Sequence, residues 1–242
     1  MNMNNTNKGN NGSVRDFYDN WNVEEFPDYL KLIMEFEEQL IFDILSNMDV
    51  LNNNSKTDKL VLDCGCGFGS FYPLIKDFNT IYMDFSLNLL KKFKINTNKV
   101  CGDIQNLPFK DNTFDLVLCI NVLEHVDFER AVNEIKRVLK TNGTCIFVVV
   151  NRDSIINEEI FTDWKITHNS LSIDDFKDFE YNDGKFLIKY WRSFYFVHPI
   201  FKVFPKFILK RILNIFYKLD KLGETNILRR KGQFLMVAMV KK

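Results

Sequence analysis

Between Leu60 and Val150 the chain alternates two hydrophobic rhythms. Short, dense apolar runs at Leu60–Asp63, Thr80–Asp84, Lys99–Cys101, Phe114–Ile120 and Thr144–Val150 have the length and side-chain make-up of strands. The run at Phe114–Ile120 is apolar throughout except for Asp115, as a strand buried on both faces requires. The intervening segments carry helical spacing. One begins near Ser70 and runs through Asp77, with Pro73 tolerable in its first turn. Ser86 can cap the next, through Lys94. Phe128–Leu139 repeats Val132, Ile135 and Val138/Leu139, with Thr141-Asn142-Gly143 as its expected stop. Repeated strand–helix units predict an α/β fold, a parallel sheet covered by helices on both faces.

The flanks read differently. Met1–Ser13 is Asn- and Gly-rich and is expected to be disordered. Phe17, Tyr18, Trp21, Phe26 and Tyr29 form an aromatic cluster, and Tyr29–Met48 has helical periodicity before a polar loop at Asn52–Asp58. After Asn151 the alternation breaks. Ser172–Phe179 reads as a helix, Lys185–Tyr195 as extended, Pro205–Leu222 as a long amphipathic helix and Phe234–Val240 as a closing strand. The expected organisation is one domain over residues 14–242: a helical cap (14–59), a core (60–150), a substrate-side segment (151–233) and a last strand (234–242).

Candidate chemistry concentrates at Leu60–Gly69, L-V-L-D-C-G-C-G-F-G. An apolar strand ends at a carboxylate, Asp63, and meets Gly65, Gly67 and Gly69, where backbone can approach a ligand that a Cβ would push away. Ligands of open α/β sheets sit at the carboxyl ends of the strands. The polar residues predicted there are Asp63, Asp84, Asp103 and Asn121. Asp63 can hold an ammonium. Asp84, 21 residues later, can accept both hydrogen bonds of a ribose diol. Asp103 can accept from an exocyclic adenine amine while the Ile104 N–H donates to a ring nitrogen. Together these describe a nucleoside with an aminoacyl tail. A dinucleotide site would need G-x-G-x-x-G, and position 70 is Ser.

Five blocks carry a family resemblance: V-L-D-C-G-C-G-F-G, I-Y-M-D-F-S at 81–86, C-G-D-I-Q-N-L-P-F at 101–109, F-D-L-V-L-C-I-N-V-L-E-H-V at 114–126 and R-V-L-K-T-N-G-T at 137–144. In order and spacing they resemble the class I S-adenosylmethionine-dependent methyltransferases, in their small-molecule branch. The resemblance implies a Rossmann-like, seven-stranded, mostly parallel sheet. Its last strand is antiparallel, beside the sixth, and a helical lid is inserted before it. It implies S-adenosylmethionine as cofactor, held by Asp63, Gly65, Gly67, Asp84, Asp103 and Ile104. Phe85 is expected against the adenine face and Asn121 at the end of the fourth strand. His125 and His168 match positions common in this branch and are the candidate catalytic residues, His125 as a structural or cofactor shelf or a general base and His168 on the substrate side. No metal is expected. The Asn/Asp-Pro-Pro-Tyr/Phe motif of DNA amino-methylating enzymes is absent, Asn121-Val122-Leu123-Glu124 standing in its place, which argues against a nucleic-acid acceptor.

Composition adds two points. The five cysteines follow no disulfide or zinc spacing and read as small buried hydrophobes in a reducing, cytoplasmic setting. The net charge of zero hides an asymmetry: residues 185–242 hold 14 Lys+Arg against 2 Asp+Glu, leaving 18 against 30 for residues 1–184. Within the basic quarter, Phe201, Phe204, Ile208, Ile212, Ile215, Leu219 and Leu222 share one helical face and lysines the other. Such a helix can pack as a lid over a small acceptor, apolar or anionic, or lie on an anionic membrane. The expected activity is methyl transfer to a small or lipid-linked molecule at a hydroxyl oxygen. Beside it stand a nucleic-acid or protein methyltransferase docking through the basic segment, and a non-catalytic partner subunit.

Overall fold

A computed structural model describes residues 11–52, 56–156, 169–196, 203–220 and 229–242. Its centre is a seven-stranded sheet of β1 (Leu60–Cys64), β2 (Asn79–Asp84), β3 (Asn98–Cys101), β4 (Phe114–Ile120), β5 (Leu139–Val150), β6 (Phe186–Phe194) and β7 (Phe234–Lys241). The order is β3-β2-β1-β4-β5-β7-β6. β1 to β5 pair in parallel, and β7 lies antiparallel between β5 and β6. The strand order turns around at β1 and β4, so a crevice opens where β1 and β4 end.

Alternate residues of the buried strands feed two separate cores. Val61, Tyr82, Leu116, Ile146, Val148 and Met236 face α2 (Asp28–Ser46) and α8 (Lys206–Asp220). Leu62, Met83, Val117, Phe147, Val149 and Val237 face α6 (Phe128–Val138) and α7 (Ile173–Asp183). Asp115 serves the sheet itself: its Oδ2 accepts from the Leu60 amide at 2.9 Å and from Lys140 Nζ at 2.7 Å.

Several sequence expectations need correction. Helix α1 (Asn11–Asp19) starts inside the segment expected to be disordered, whose residues 1–10 lie outside the described chain. A short helix, α3 (Asp49–Asn52), precedes the loop. After the glycines the helix is a single turn, α4 (Tyr72–Ile75), because Gly69 and Ser70 still belong to the turn. Helix α5 (Leu87–Lys92) is capped by Ser86, as expected, but stops before buried Phe93. Thr141-Asn142-Gly143 does not end a helix. Leu139, fully buried, already pairs with Phe114, and the polar residues sit in an irregular stretch of β5. α7 runs to Asp183, beyond the expected Phe179, and ends on Gly184 in the left-handed region. Cys64, Cys66, Cys119 and Cys145 are buried, but Cys101 is exposed at the sheet edge on β3.

On α8 the buried face is Leu209 and Leu213, with Ile208, Ile212 and Phe216 half-buried, while Ile215 is exposed. The predicted face is rotated because the helix is apolar around most of its girth, and its packing partner α2 decides which stripe is covered. Leu222 and Phe201 lie outside the described residues.

Candidate functional site

The first βα turn is built by the glycines. Gly65 and Cys66 both donate their amides to the Met83 carbonyl, at 2.7 and 3.0 Å, which folds the turn over β2. Gly65 has φ +81°, and a Cβ there would stand 2.2 Å from Val122 Cγ2. Gly67 has φ +54° with open space where its Cβ would be, and its amide donates to Asp84 Oδ2 at 2.8 Å. Ser86 donates its amide to the other carboxylate oxygen, also at 2.8 Å. Asp84 is therefore fixed between the glycine turn and the start of α5. Burial raises its pKa, and those backbone donors oppose the rise.

Beside this turn lies a cavity of about 390 Å³. Gly65, Gly67, Asp84, Phe85, Asp103, Ile104, Asn121 and His125 all line it. Of the sequence candidates, eight of the described residues are thus gathered into one crevice. Asp63 lies just beneath it, 2% exposed. Its Oδ2 is buried with no hydrogen-bond donor among the described residues. Burial, then the charge of Asp84, pushes Asp63 up to about 7. A buried carboxylate oxygen without a donor, next to a glycine cradle, fits a ligand that brings an ammonium. Asp103 is exposed at the cavity mouth, its Oδ1 accepting from the Gln105 amide at 2.9 Å. His168 and His198 lie outside the described residues. Among the described residues no group of three or more His, Cys, Asp or Glu could hold a metal ion.

Residues that the sequence did not mark as part of the site complete the wall. From α1 come Val14, Arg15 and Tyr18, and the Arg15 guanidinium stands 5.6 Å from the Phe85 ring centre. The Tyr18 hydroxyl lies 2.8 Å from His125 Nε2, in the turn after β4. Burial, with Glu124, Asp84 and Glu37 nearby, pushes the Tyr18 phenol upward. Glu37 of α2 accepts from Asn121 Nδ2 at 2.7 Å, and burial lifts it to about 8. Glu124, 1% exposed, is also lifted to about 8 by burial. Asn121 takes the left-handed conformation, φ +55°, which turns its side chain away from the strand direction. Glu37 had a legible signal. It sits one turn from both Ile33 and Ile41, a carboxylate on the apolar stripe of its helix.

This geometry agrees with comparisons to known proteins. A family profile described as a methyltransferase domain matches residues 62–147. An uncharacterised protein of Methanocaldococcus jannaschii is 56% identical over 229 residues, which cover 95% of this chain and 99% of that protein. A ubiquinone biosynthesis O-methyltransferase of Coxiella burnetii is 30% identical over 105 residues, 39% of this chain and 45% of that enzyme. The crystal structure of an S-adenosylmethionine-dependent methyltransferase from Thermotoga maritima superposes with a TM-score of 0.65 at 20% identity, covering 95% of this chain and all of that one.

Proposed function

The chain belongs to the class I S-adenosylmethionine-dependent methyltransferases, and on that footing we propose that it methylates the hydroxyl oxygen of a small, apolar or lipid-linked acceptor. S-adenosylmethionine supplies an electrophilic methyl group on a sulfonium. The residues of the chain bind and orient. Asp63 holds the ammonium with its buried oxygen, and the turn at Gly65 and Gly67 lets backbone come close. Asp84 receives the ribose hydroxyls, Asp103 and the Ile104 amide meet the adenine edge, and Phe85 packs on its face. Asn121 and His125 line the same cavity, and beside them the acceptor would meet the methyl. Positioning two reactants in line is most of what such a transfer needs. His125, tied to Tyr18, holds the wall there, and it is a candidate proton acceptor beside His168.

The observation that carries this reading is the donor-free buried oxygen of Asp63 beneath the glycine turn. The likeness to an O-methyltransferase supports oxygen as the acceptor atom. Five free cysteines support a reducing, cytoplasmic setting. Among the described residues no helix is long and apolar enough to cross a membrane. The outer face of α8 instead supports a peripheral contact with anionic lipid: Phe207 and Ile215 are exposed beside Lys210, Arg211 and Lys218. Nucleic acid is not an acceptor in this reading.

Titration calorimetry with S-adenosylmethionine and transfer of a labelled methyl to hydroxyl-bearing small molecules test the proposal. Cofactor binding with label appearing only in RNA or protein would replace it by the docking reading. A folded chain with no cofactor affinity would leave only a partner role.

A further inference from the structure

Of the polar side chains that line the cavity, Asp84 and Asp103 are assigned to the cofactor. Arg15 is a cation, Gln105 is bonded to Asp103 and to the Asp127 amide, and Asn121 gives its Nδ2 to Glu37. A guanidinium or a side-chain amide takes up no proton. Tyr18 and His125 remain. Both line the cavity, and the Tyr18 hydroxyl lies 2.8 Å from His125 Nε2.

An imidazole takes up a proton on a nitrogen lone pair. Nδ1 of His125 is buried, and Nε2 faces the Tyr18 hydroxyl. An acceptor in the cavity therefore meets His125 by way of Tyr18. Burial, with Glu124, Asp84 and Glu37 nearby, pushes the Tyr18 phenol upward, so it stays protonated and donates to a neutral Nε2. A hydroxyl carries one hydrogen and two lone pairs. While it donates to Nε2, the Tyr18 oxygen can accept a hydrogen bond from an acceptor O–H.

We propose that Tyr18 is a catalytic residue: its hydroxyl takes the proton of the acceptor hydroxyl and passes its own to His125 Nε2. The proposal rests on the oxygen-transfer reading above. The acceptor O–H breaks and its proton joins the Tyr18 oxygen, while the Tyr18 O–H breaks and that proton joins Nε2. The acceptor's oxygen pair forms the new bond to the sulfonium methyl, and the C–S pair stays on sulfur, leaving S-adenosylhomocysteine. Tyr18 ends as it began, and the imidazolium gives its proton to water between turnovers.

Such a relay matters for an acceptor that still holds its proton. The test uses the full chain with saturating labelled S-adenosylmethionine at about pH 8, where phenol, titrating near 10, keeps its proton. The second probe is 4-nitrophenol, whose electron-poor ring leaves it ionised there, with benzylamine alongside. Tyr18→Phe keeps the ring on the wall and removes the relay. It should lower kcat with phenol roughly 100-fold or more and lower it far less with 4-nitrophenol, a difference that a loosened wall would not produce. His125→Gln still offers the Tyr18 hydroxyl an acceptor but takes up no proton, and it should reproduce that pattern. The double variant should be no slower than either single one, because the two residues act as a unit. If Tyr18→Phe does not fold, His125→Gln carries the comparison. Equal losses with both phenols, no loss with phenol, or wild-type transfer to 4-nitrophenol but not to phenol overturns the proposal and leaves oxygen transfer standing. Transfer to benzylamine alone, or to none of the probes, overturns both.

Discussion

The Tyr18 hydroxyl and His125 Nε2, 107 residues apart in sequence, lie 2.8 Å from one another. Through them the first helix is fastened to the turn after β4, and both residues line the cavity. A second fastening lies on the other side: Asp19 Oδ1 accepts from Ser86 Oγ at 2.5 Å, at the cap of α5. The aromatic cluster of Phe17, Tyr18 and Trp21 stiffens α1 between the two, with ring centres 5.1–5.6 Å apart. The N-terminal segment is thus a wall of the site.

Tyr18→Phe should loosen that wall without unfolding the chain. One hydrogen bond contributes about 0.5–1.5 kcal/mol net, so the affinity for S-adenosylmethionine should fall by roughly 2-fold and at most about 12-fold. Calorimetry checks this, with the thermal transition as control. An unchanged affinity would mean that α1 does not close on the cofactor.

Cofactor affinity should depend on pH through Asp63. Its carboxyl titrates at about 7 in the free protein, and only the charged form pairs with an ammonium. Affinity should therefore be flat above about pH 7 and weaken as pH falls through it, with a proton released on binding near neutrality. Asp63→Asn should weaken binding by roughly 30-fold or more, since removing one partner of a buried charged pair costs about 2–5 kcal/mol. It should also flatten the pH dependence. A steep dependence that survives in Asp63→Asn would place the titrating group elsewhere.

How much of this was legible in sequence follows from what each feature depends on. The strands from β1 to β4, the Ser86 cap and the crevice residues Asp63, Asp84 and Asp103 are local: an apolar run, a turn and an acid at a strand end. The close pair of α6 and β5 was misjudged at Thr141–Gly143, because pairing of Leu139 with Phe114 overrides the turn chemistry there. The pairing of this wall was not legible, although Asn121 and His125 were, since Tyr18 of α1, Glu37 of α2 and the turn after β4 come from three distant segments. The face of α8 could not be chosen either, because an apolar helix with two usable stripes needs its partner to decide.

The free protein should be more stable in mild acid than in mild base. Asp63 is raised to about 7, and Glu37 and Glu124 to about 8. A carboxyl raised on folding contributes stability that is fully present below its unfolded value, near 4, and lost as pH rises through the folded one. The melting temperature should thus decline between about pH 5 and 9, by about 2–4 °C for each kcal/mol lost in a chain of this size. Glu124→Gln should reduce the slope. A melting temperature that rises across this interval would show that these carboxyls are not buried as charges in solution.

Gly65 should tolerate no side chain. A Cβ there meets Val122 Cγ2 at 2.2 Å, and φ +81° strains any L-residue. Gly65→Ala should destabilise by about 1–3 kcal/mol from overpacking and backbone strain together. Adding Val122→Ala should recover the overpacking part and leave the strain. Denaturant midpoints of the single and double variants separate the two, and full recovery would show that the backbone relaxes freely at this turn.

The outer face of α8 makes the last prediction. Leu209 and Leu213 hold the helix to the core, so Phe207, 68% exposed, and Ile215, 57% exposed, contribute little to stability. Lys210, Arg211 and Lys218 on the same side meet no acidic partner in an ion pair among the described residues. Each cation near an anionic bilayer contributes about 1 kcal/mol, which falls away as salt screens it. Vesicles rich in phosphatidylserine should therefore retain the protein at low salt and release it at high salt, and vesicles of phosphatidylcholine should not bind it. Phe207→Ser with Ile215→Ser should abolish retention without shifting the melting temperature. Equal retention by both vesicle types, or none by either at low salt, would leave α8 as a packed helix whose outer face meets only water.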